Sequence, residues 1–317
     1  MRTLMALALL AFSIPQSGNS QFMGRWNMTG TGDNSGVVYW LEVKEEGGAV
    51  KGQFLNRFSS PYDLANIKIE NGELTWWNNP REGQQPNPVW RAKVVDGKLV
   101  GTTTSTRRDG TTSTVNWVGV RPPTWPADLN ANGNHTYGTP MSLFDGTSMD
   151  GWGVQHKQNP MNWSVIDGAM TSADKGGNNL VSNQTFKDFK INAEYAIAPG
   201  NNGGIYVRGR YELQLLDDYG KPTDEHGHMA IYGRTPPSAN ASKPANEWQT
   251  MEAIVVGNRV TVTLNGTRVH DNAVIEGITG GALDANETAP GSLMLQGDHG
   301  KIMFRKIVVT PITKAGR

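Results

Sequence analysis

Apolar and polar residues alternate in short runs along most of the chain, and Gly, Asn and Asp interrupt the runs every few residues. A period of two sends successive side chains to opposite faces of an extended strand, so each run predicts a half-buried β-strand. From residue 22 to 120 the runs are Trp26–Thr29, Val37–Val43, Val50–Phe54, Ile67–Ile69, Leu74–Trp77, Val89–Val95, Leu99–Thr104 and Thr114–Val120. Gly47-Gly48, Asn71-Gly72, Asp96-Gly97 and Asp109-Gly110 fall between them with the chemistry of tight hairpins. Strands in sequence order predict an up-and-down barrel or a meander closing on itself, serving either as a ligand-binding barrel or as an accessory packing domain.

Residues 121–140 lose the pattern and turn rich in Pro, Asn, Gly and Thr, which predicts a linker laid down by Trp125 and Tyr137. Alternation resumes over residues 141–312. Strands are predicted at Trp163–Ile166, Ala169–Thr171, Phe189–Ile197, Gly204–Arg208, Tyr211–Leu216, Trp248–Val256, Arg259–Leu264, Ser292–Gln296 and Ile302–Thr310. With no long helical period between them, they predict an antiparallel sandwich. The fold class is therefore all-β, a sandwich preceded by a small antiparallel β-barrel-like domain.

The 317 residues hold 29 basic and 29 acidic side chains, without a run of either sign, which argues against nucleic acid or an anionic membrane as partner. The first residues change the expected location. One positive charge at Arg2, an apolar run from Leu4 to Phe12, and small residues at Gly18 and Ser20 describe a secretory signal peptide over residues 1–20, cleaved near Ser20. That run is too short to span a bilayer, so the mature protein is expected to be periplasmic or secreted, with no membrane insertion after cleavage. The chain has no cysteine, hence neither disulfides nor a thiol to carry a lipid anchor.

The chemistry concentrates at Arg208 and in Tyr211-Glu212-Leu213-Gln214-Leu215-Leu216-Asp217. On a strand, positions i and i+2 share a face about 7 Å apart. Arg208, Glu212 and Gln214 are thus expected to line one surface, with Tyr211, Leu213 and Leu215 packed beneath it. Such a face suits a ligand with many hydroxyls, such as a sugar. Asp217, five residues from Glu212, falls on the opposite face unless a bulge re-aims it. Glu212 reads either as an acid or base tuned by burial or as half of an ion pair with Arg208. His226-Gly227-His228, with Asp224 and Glu225, is either a divalent-metal site or an exposed polar loop. Trp152, Trp163 and Trp248 are each either sugar-stacking rings or core.

Leu143-Phe144-Asp145-Gly146-Thr147-Ser148-Met149-Asp150-Gly151-Trp152 resembles the opening signature of the 3-keto-disaccharide hydrolase family, also described as 3-keto-glucoside lyase/2-hydroxy-glucal hydratase. Further blocks match in order: Lys187-Asp188-Phe189-Lys190, Asn202 to Arg208, Tyr211 to Asp217, Leu295 to Gly300, and Phe304-Arg305-Lys306-Ile307. The family usually carries Asn-Ser-Gly where this chain has Asn202-Gly203-Gly204. The resemblance implies a concanavalin A-like jelly roll that cleaves glycosides already oxidised to a ketone at C3. A base would remove the C2 proton, an electrophile would hold the enolate, and the C1 substituent would leave before water adds. It implies Glu212, Arg208 and His299 as catalytic groups and Gln214, Gln296, Asp217, Asn202 and Trp248 as sugar contacts. A divalent metal, at His299 or elsewhere, stays open. With no dinucleotide fingerprint in the chain, C3 oxidation would fall to a separate dehydrogenase. Two other readings remain: a lectin-like carbohydrate-binding protein, and a retaining glucanase-type glycosidase. The second needs two carboxylates across the scissile bond, and Gln214 stands where the middle acid of such strands would be.

Overall fold

The computed structural model describes residues 18–174 and 177–316, so most of the expected signal peptide lies outside the described residues. The first sheet holds β1 (Gly24–Gly30), β2 (Val38–Glu46), β3 (Ala49–Asn56), β4 (Tyr62–Asp63), β5 (Asn66–Glu70), β6 (Glu73–Trp77), β7 (Val89–Val95), β8 (Lys98–Thr106) and β9 (Thr112–Val120). Their order is β4-β3-β2-β1-β9-β8-β7-β6-β5, all antiparallel, with β1 laddered to β9. This is the predicted meander curled on itself, and every hairpin predicted from Gly and Asn turns is present.

Its interior is packed with rings rather than open to a ligand. Trp76 and Trp90 stack at 5.5 Å, Phe54 meets Trp90 edge-on at 4.8 Å, and Trp26 and Trp117 are buried beside them. Each such side chain contributes roughly 1.5–3 kcal/mol through burial, and together they give a disulfide-free barrel its cohesion.

β2 departs from alternation, because Val38, Tyr39, Trp40 and Leu41 are buried in succession. Tyr39, Leu41 and Val43 face the barrel interior, whereas Val38 and Trp40, with Leu55 of β3, join the core of the following sheets. Arg234 lies over the outward Trp40 ring at 4.2 Å. Asn27 donates to Glu287 Oε1 at 2.7 Å and Arg25 bridges Glu42 and Glu276.

The rest of the chain forms the sandwich through β10 (Thr136–Tyr137), β11 (Met141–Phe144), β12 (Trp152–Val154), β13 (Trp163–Ile166), β14 (Ala169–Ser172), β15 (Leu180–Phe186) and β16 (Phe189–Ile197). It continues with β17 (Asn202–Val207), β18 (Tyr211–Leu216), β19 (Gln249–Val256), β20 (Arg259–Leu264), β21 (Thr267–Val274), β22 (Gly291–Leu295) and β23 (Ile302–Lys314). One sheet runs β13-β14-β23-β16-β19-β20-β21, with β10 and β11 also on β23, and the other runs β12-β15-β22-β17-β18. The jelly-roll expectation holds. Phe189, Ile191 and Val309 of the large sheet and Ile205, Leu213 and Leu295 of the small one are fully or almost fully buried in one core. Residues 121–140 are docked on this sandwich: Trp125 packs at Gly257, and Tyr137 pairs with Ile312.

Candidate active site

The small sheet carries the site because its two faces differ in kind. On β17 and β18 the side chains of Ile205, Val207, Tyr211, Leu213 and Leu215 enter the core. The ladder pairs Tyr206 with Glu212 and Gly204 with Gln214, so these positions share the other face. That face floors a cleft of about 280 Å³, walled by Asn202, Tyr206, Glu212, Gln214, Gln155, Asn179, Tyr232, Gln296, Asp298 and His299 among others.

Glu212 sits at the bottom, 3% exposed. Its Oε2 lies 2.7 Å from the Tyr206 hydroxyl, which donates to it when Glu212 is ionised, and Tyr206 also lies 2.8 Å from the Gly280 carbonyl. The Gln214 amide, turned to face acceptors, donates to Gly203 O at 2.8 Å and to Glu212 Oε1 at 3.2 Å. Gly204 makes room for the carboxylate, since a Cβ there would stand 2.4 Å from Oε1. Burial, only partly offset by Tyr206 and by the charge of His299, pushes the Glu212 pKa from 4.5 to about 8. The hydrogen count at Tyr206 agrees. One hydroxyl hydrogen meets two acceptor oxygens, and a carbonyl cannot donate. Both bonds are made at once only when Glu212 itself holds a proton.

His299 stands at the rim, half exposed, with Nδ1 at 2.6 Å from Asp298 Oδ1. That hydrogen bond raises its pKa above 6.5 against a smaller opposing effect of burial. The short turn holding it is fixed at both ends. Gly297 lies so close to the Trp163 ring that a Cβ would be 2.5 Å away, and its N–H donates to Asn179 Oδ1 at 2.9 Å. Beyond it, Ser172 Oγ donates to Gly300 O at 2.8 Å and Lys301 N donates to Asn201 Oδ1 at 3.0 Å. Along the outer edge of β18, Gln214 N donates to Ala230 O and Tyr232 N to Glu212 O, which brings Tyr232 to the cleft.

Of the residues predicted from sequence, Glu212, Gln214, Gln296, Asn202 and His299 converge on the cleft. Arg208 does not. The strand ends at Val207, and Arg208 turns the chain with φ +56°, sending its guanidinium over the Tyr211 ring at 5.2 Å and onto the Gly257 carbonyl. It is 1% exposed and makes no ion pair with Glu212 among the described residues. Asp217 lies beyond the end of β18, where Oδ2 accepts from Gly200 N at 2.8 Å outside the cleft. Trp248 packs under Arg305, 4.5 Å from the guanidinium, away from the site. Trp152 and Trp163 are core.

The two histidines of the acidic loop diverge. His226 Nε2 lies 2.6 Å from Ser60 Oγ, while buried His228 meets the Tyr195 hydroxyl at 2.7 Å through Nε2 and the Leu216 backbone through Nδ1. Desolvation drops the His228 pKa to about 4, so it stays neutral and structural. Among the described residues no group of three or more His, Cys, Asp and Glu is placed to hold a metal ion.

The replacement of the family's serine by Gly203 falls on the core side, where a Cβ would meet Ile302 at 2.8 Å; no cleft hydroxyl is lost there. Sequence reasoning missed Tyr206, whose place opposite Glu212 follows once the hairpin register is known. It also missed Asp298, Asn179, Gln155 and Tyr232, which arrive from loops.

A curated 3-keto-disaccharide hydrolase of Bacteroides thetaiotaomicron is 23% identical over 164 residues, 41% of this chain and 57% of its own. The chain therefore spans little more than half of that relative's length. A solved structure from Parabacteroides distasonis is 27% identical and covers 59% of this chain and 92% of that one, with a TM-score of 0.46. A carbohydrate-binding module of Bacillus subtilis is 16% identical and covers 53% and 96%, with a TM-score of 0.34. The family model for the 3-keto-alpha-glucoside-1,2-lyase-like domain matches residues 139–310, more than half of the chain and the whole of the cleft-bearing sheet. The chain belongs to that family.

Proposed function

We propose that the protein cleaves glycosides whose C3 hydroxyl has been oxidised to a ketone, by elimination across C1 and C2 followed by hydration. The observation that carries this reading is Glu212: one deeply buried carboxylate, with its pKa pushed to about 8, on the floor of a cleft whose other lining side chains include five amides, two tyrosines, His156 and the His299–Asp298 pair. A C2 proton next to a ketone is weakly acidic, and a base with a high pKa is matched to take it. Ionised Glu212 accepts that proton through Oε1 or Oε2. His299, whose hold on a proton is strengthened by Asp298, faces the oxygen that gains negative charge as the C2–H bond breaks. The C1–O bond then breaks and the departing oxygen takes a proton, leaving an unsaturated keto sugar and the free alcohol. Water adds its oxygen at C1 and a proton at C2, so the net change is hydrolysis. Gln214, Gln296 and Asn202 supply the hydrogen bonds that hold the ring.

A retaining glucanase needs a second free carboxylate across the scissile bond, about 5–5.5 Å from the first. Here the middle position is Gln214, and Asp298 is engaged with His299. The proposal includes a separate dehydrogenase that makes the ketone, and export with cleavage near Ser20. Amino-terminal sequencing of protein recovered from cells tests that point.

Incubation of 3-keto-glucosides and their unoxidised counterparts in deuterium oxide tests the chemistry. Cleavage of the keto substrate alone, with deuterium at C2 of the released sugar, is the expected outcome. Cleavage of the unoxidised glucoside without label would replace the proposal by an ordinary glycosidase. Binding without cleavage of either would leave a lectin-like protein.

A further inference from the structure

The first sheet does not merely lean on the sandwich; one of its turns reaches the cleft. Between β3 and β4, Arg57 adopts φ +53° and swings Phe58 out to the mouth of the site, where it is 61% exposed and forms part of the wall. Arg57 lies across the Phe58 ring, 4.4 Å from its centroid. An aromatic side chain this exposed gains little from folding, because it stays in water. Its place above a polar cleft is therefore what needs explaining.

The turn is held firmly. Arg57 O accepts from Gly281 N at 2.8 Å, Asn56 N donates to Ser59 Oγ at 3.0 Å, and Ser60 Oγ meets His226 Nε2 at 2.6 Å. Gly280 lies so close that a Cβ on it would stand 2.6 Å from Ser59 O. The carbonyl of the same Gly280 meets the Tyr206 hydroxyl that bonds Glu212. The turn of the first sheet is thus tied through Gly280-Gly281 to the group at the cleft floor.

Depth then separates two parts of a substrate. At about 280 Å³ the cleft falls just below the usual range for ligand sites, about 300–1,000 Å³. The ring that reacts must reach Glu212 at the floor. What is joined to its C1 oxygen must extend outward to the rim. We propose that Phe58 is a specificity-determining residue, a stacking platform for the leaving group, so that the first sheet selects which glycosides the sandwich cleaves. The inference rests on the reading of the cleft as a 3-keto-glycoside-cleaving site. A flat hydrophobic or sugar-ring leaving group can cover the Phe58 face; a methyl group is too small to do so.

The test compares kcat/KM for 4-nitrophenyl 3-keto-glucoside and methyl 3-keto-glucoside in the unaltered protein, in Phe58→Ala and in Phe58→Tyr. Losing one aromatic contact is expected to lower the nitrophenyl-to-methyl ratio about three- to tenfold in Phe58→Ala. Phe58→Tyr is expected to restore it. An unchanged ratio in Phe58→Ala, including an equal loss on both substrates, would overturn the inference while leaving the reaction intact. Failure of the unaltered protein to cleave either substrate would instead remove the proposed function, and this inference with it.

Discussion

Replacing Glu212 with Gln should make the protein more stable at alkaline pH, and by a predictable amount. The folded protein holds the Glu212 proton up to about pH 8, whereas an unfolded chain releases it near 4.5. Between those values the native state binds more protons than the unfolded state, so stability falls as pH rises. The contribution is fully present below about pH 4.5 and is gone once pH passes about 8. At about 1.4 kcal/mol per pH unit, the whole effect is on the order of 5 kcal/mol. Glutamine has the shape of the protonated acid and never ionises, so Glu212→Gln lacks this slope. Urea unfolding of both proteins from pH 5 to pH 9 measures it. Nearly equal stability at pH 5 is expected, with the variant several kcal/mol more stable at pH 9 while cleavage of the keto substrate is abolished. Parallel stability curves would refute the claim that Glu212 is buried with a raised pKa.

Three further substitutions separate the roles of neighbours. Tyr206→Phe removes a hydrogen bond that favours the ionised carboxylate, so the Glu212 pKa should climb further and the acid limb of the kcat/KM profile should move to higher pH. Gly204→Ala places a methyl group against Glu212 Oε1 and should cut kcat at least tenfold, more than it alters thermal stability; an unchanged kcat would mean that the carboxylate position is not critical. Arg208→Ala leaves the Gly257 carbonyl without its charged donor and should cost about 2–3 kcal/mol in urea unfolding, with KM unchanged. A raised KM with undiminished stability would return Arg208 to the substrate.

The parity of β18 made Glu212 and Gln214 legible as one face and Tyr211, Leu213 and Leu215 as the other, because a strand admits only two directions. The same parity misplaced Arg208, since nothing in the run announces that the strand stops at Val207 and that the next residue takes a left-handed conformation. β15 was missed for a related reason. Its middle, Ser182 to Thr185, is mostly polar, and the register with β22 shifts between Val181 and Thr185, which breaks the alternation. The loop contributions of Asp298, Asn179 and Tyr232 depend on contacts far apart in sequence. Phe58 is the extreme case, a residue more than 150 positions from Glu212 that sits in a turn with no pattern of its own.

β2 and β3 also bear on how the molecule comes apart. Tyr39, Leu41 and Phe54 belong to one hydrophobic interior, whereas Val38, Trp40 and Leu55, on the same two strands, belong to the next. A chain cut at the proline-rich stretch after Val120 would leave the first fragment with an indole and two aliphatic side chains stripped of their cover. The second fragment would have a matching hole in its core. The folding unit is therefore larger than either sheet system. Heating should give a single calorimetric transition for both sheet systems together, and limited proteolysis should release neither half as a soluble, folded piece.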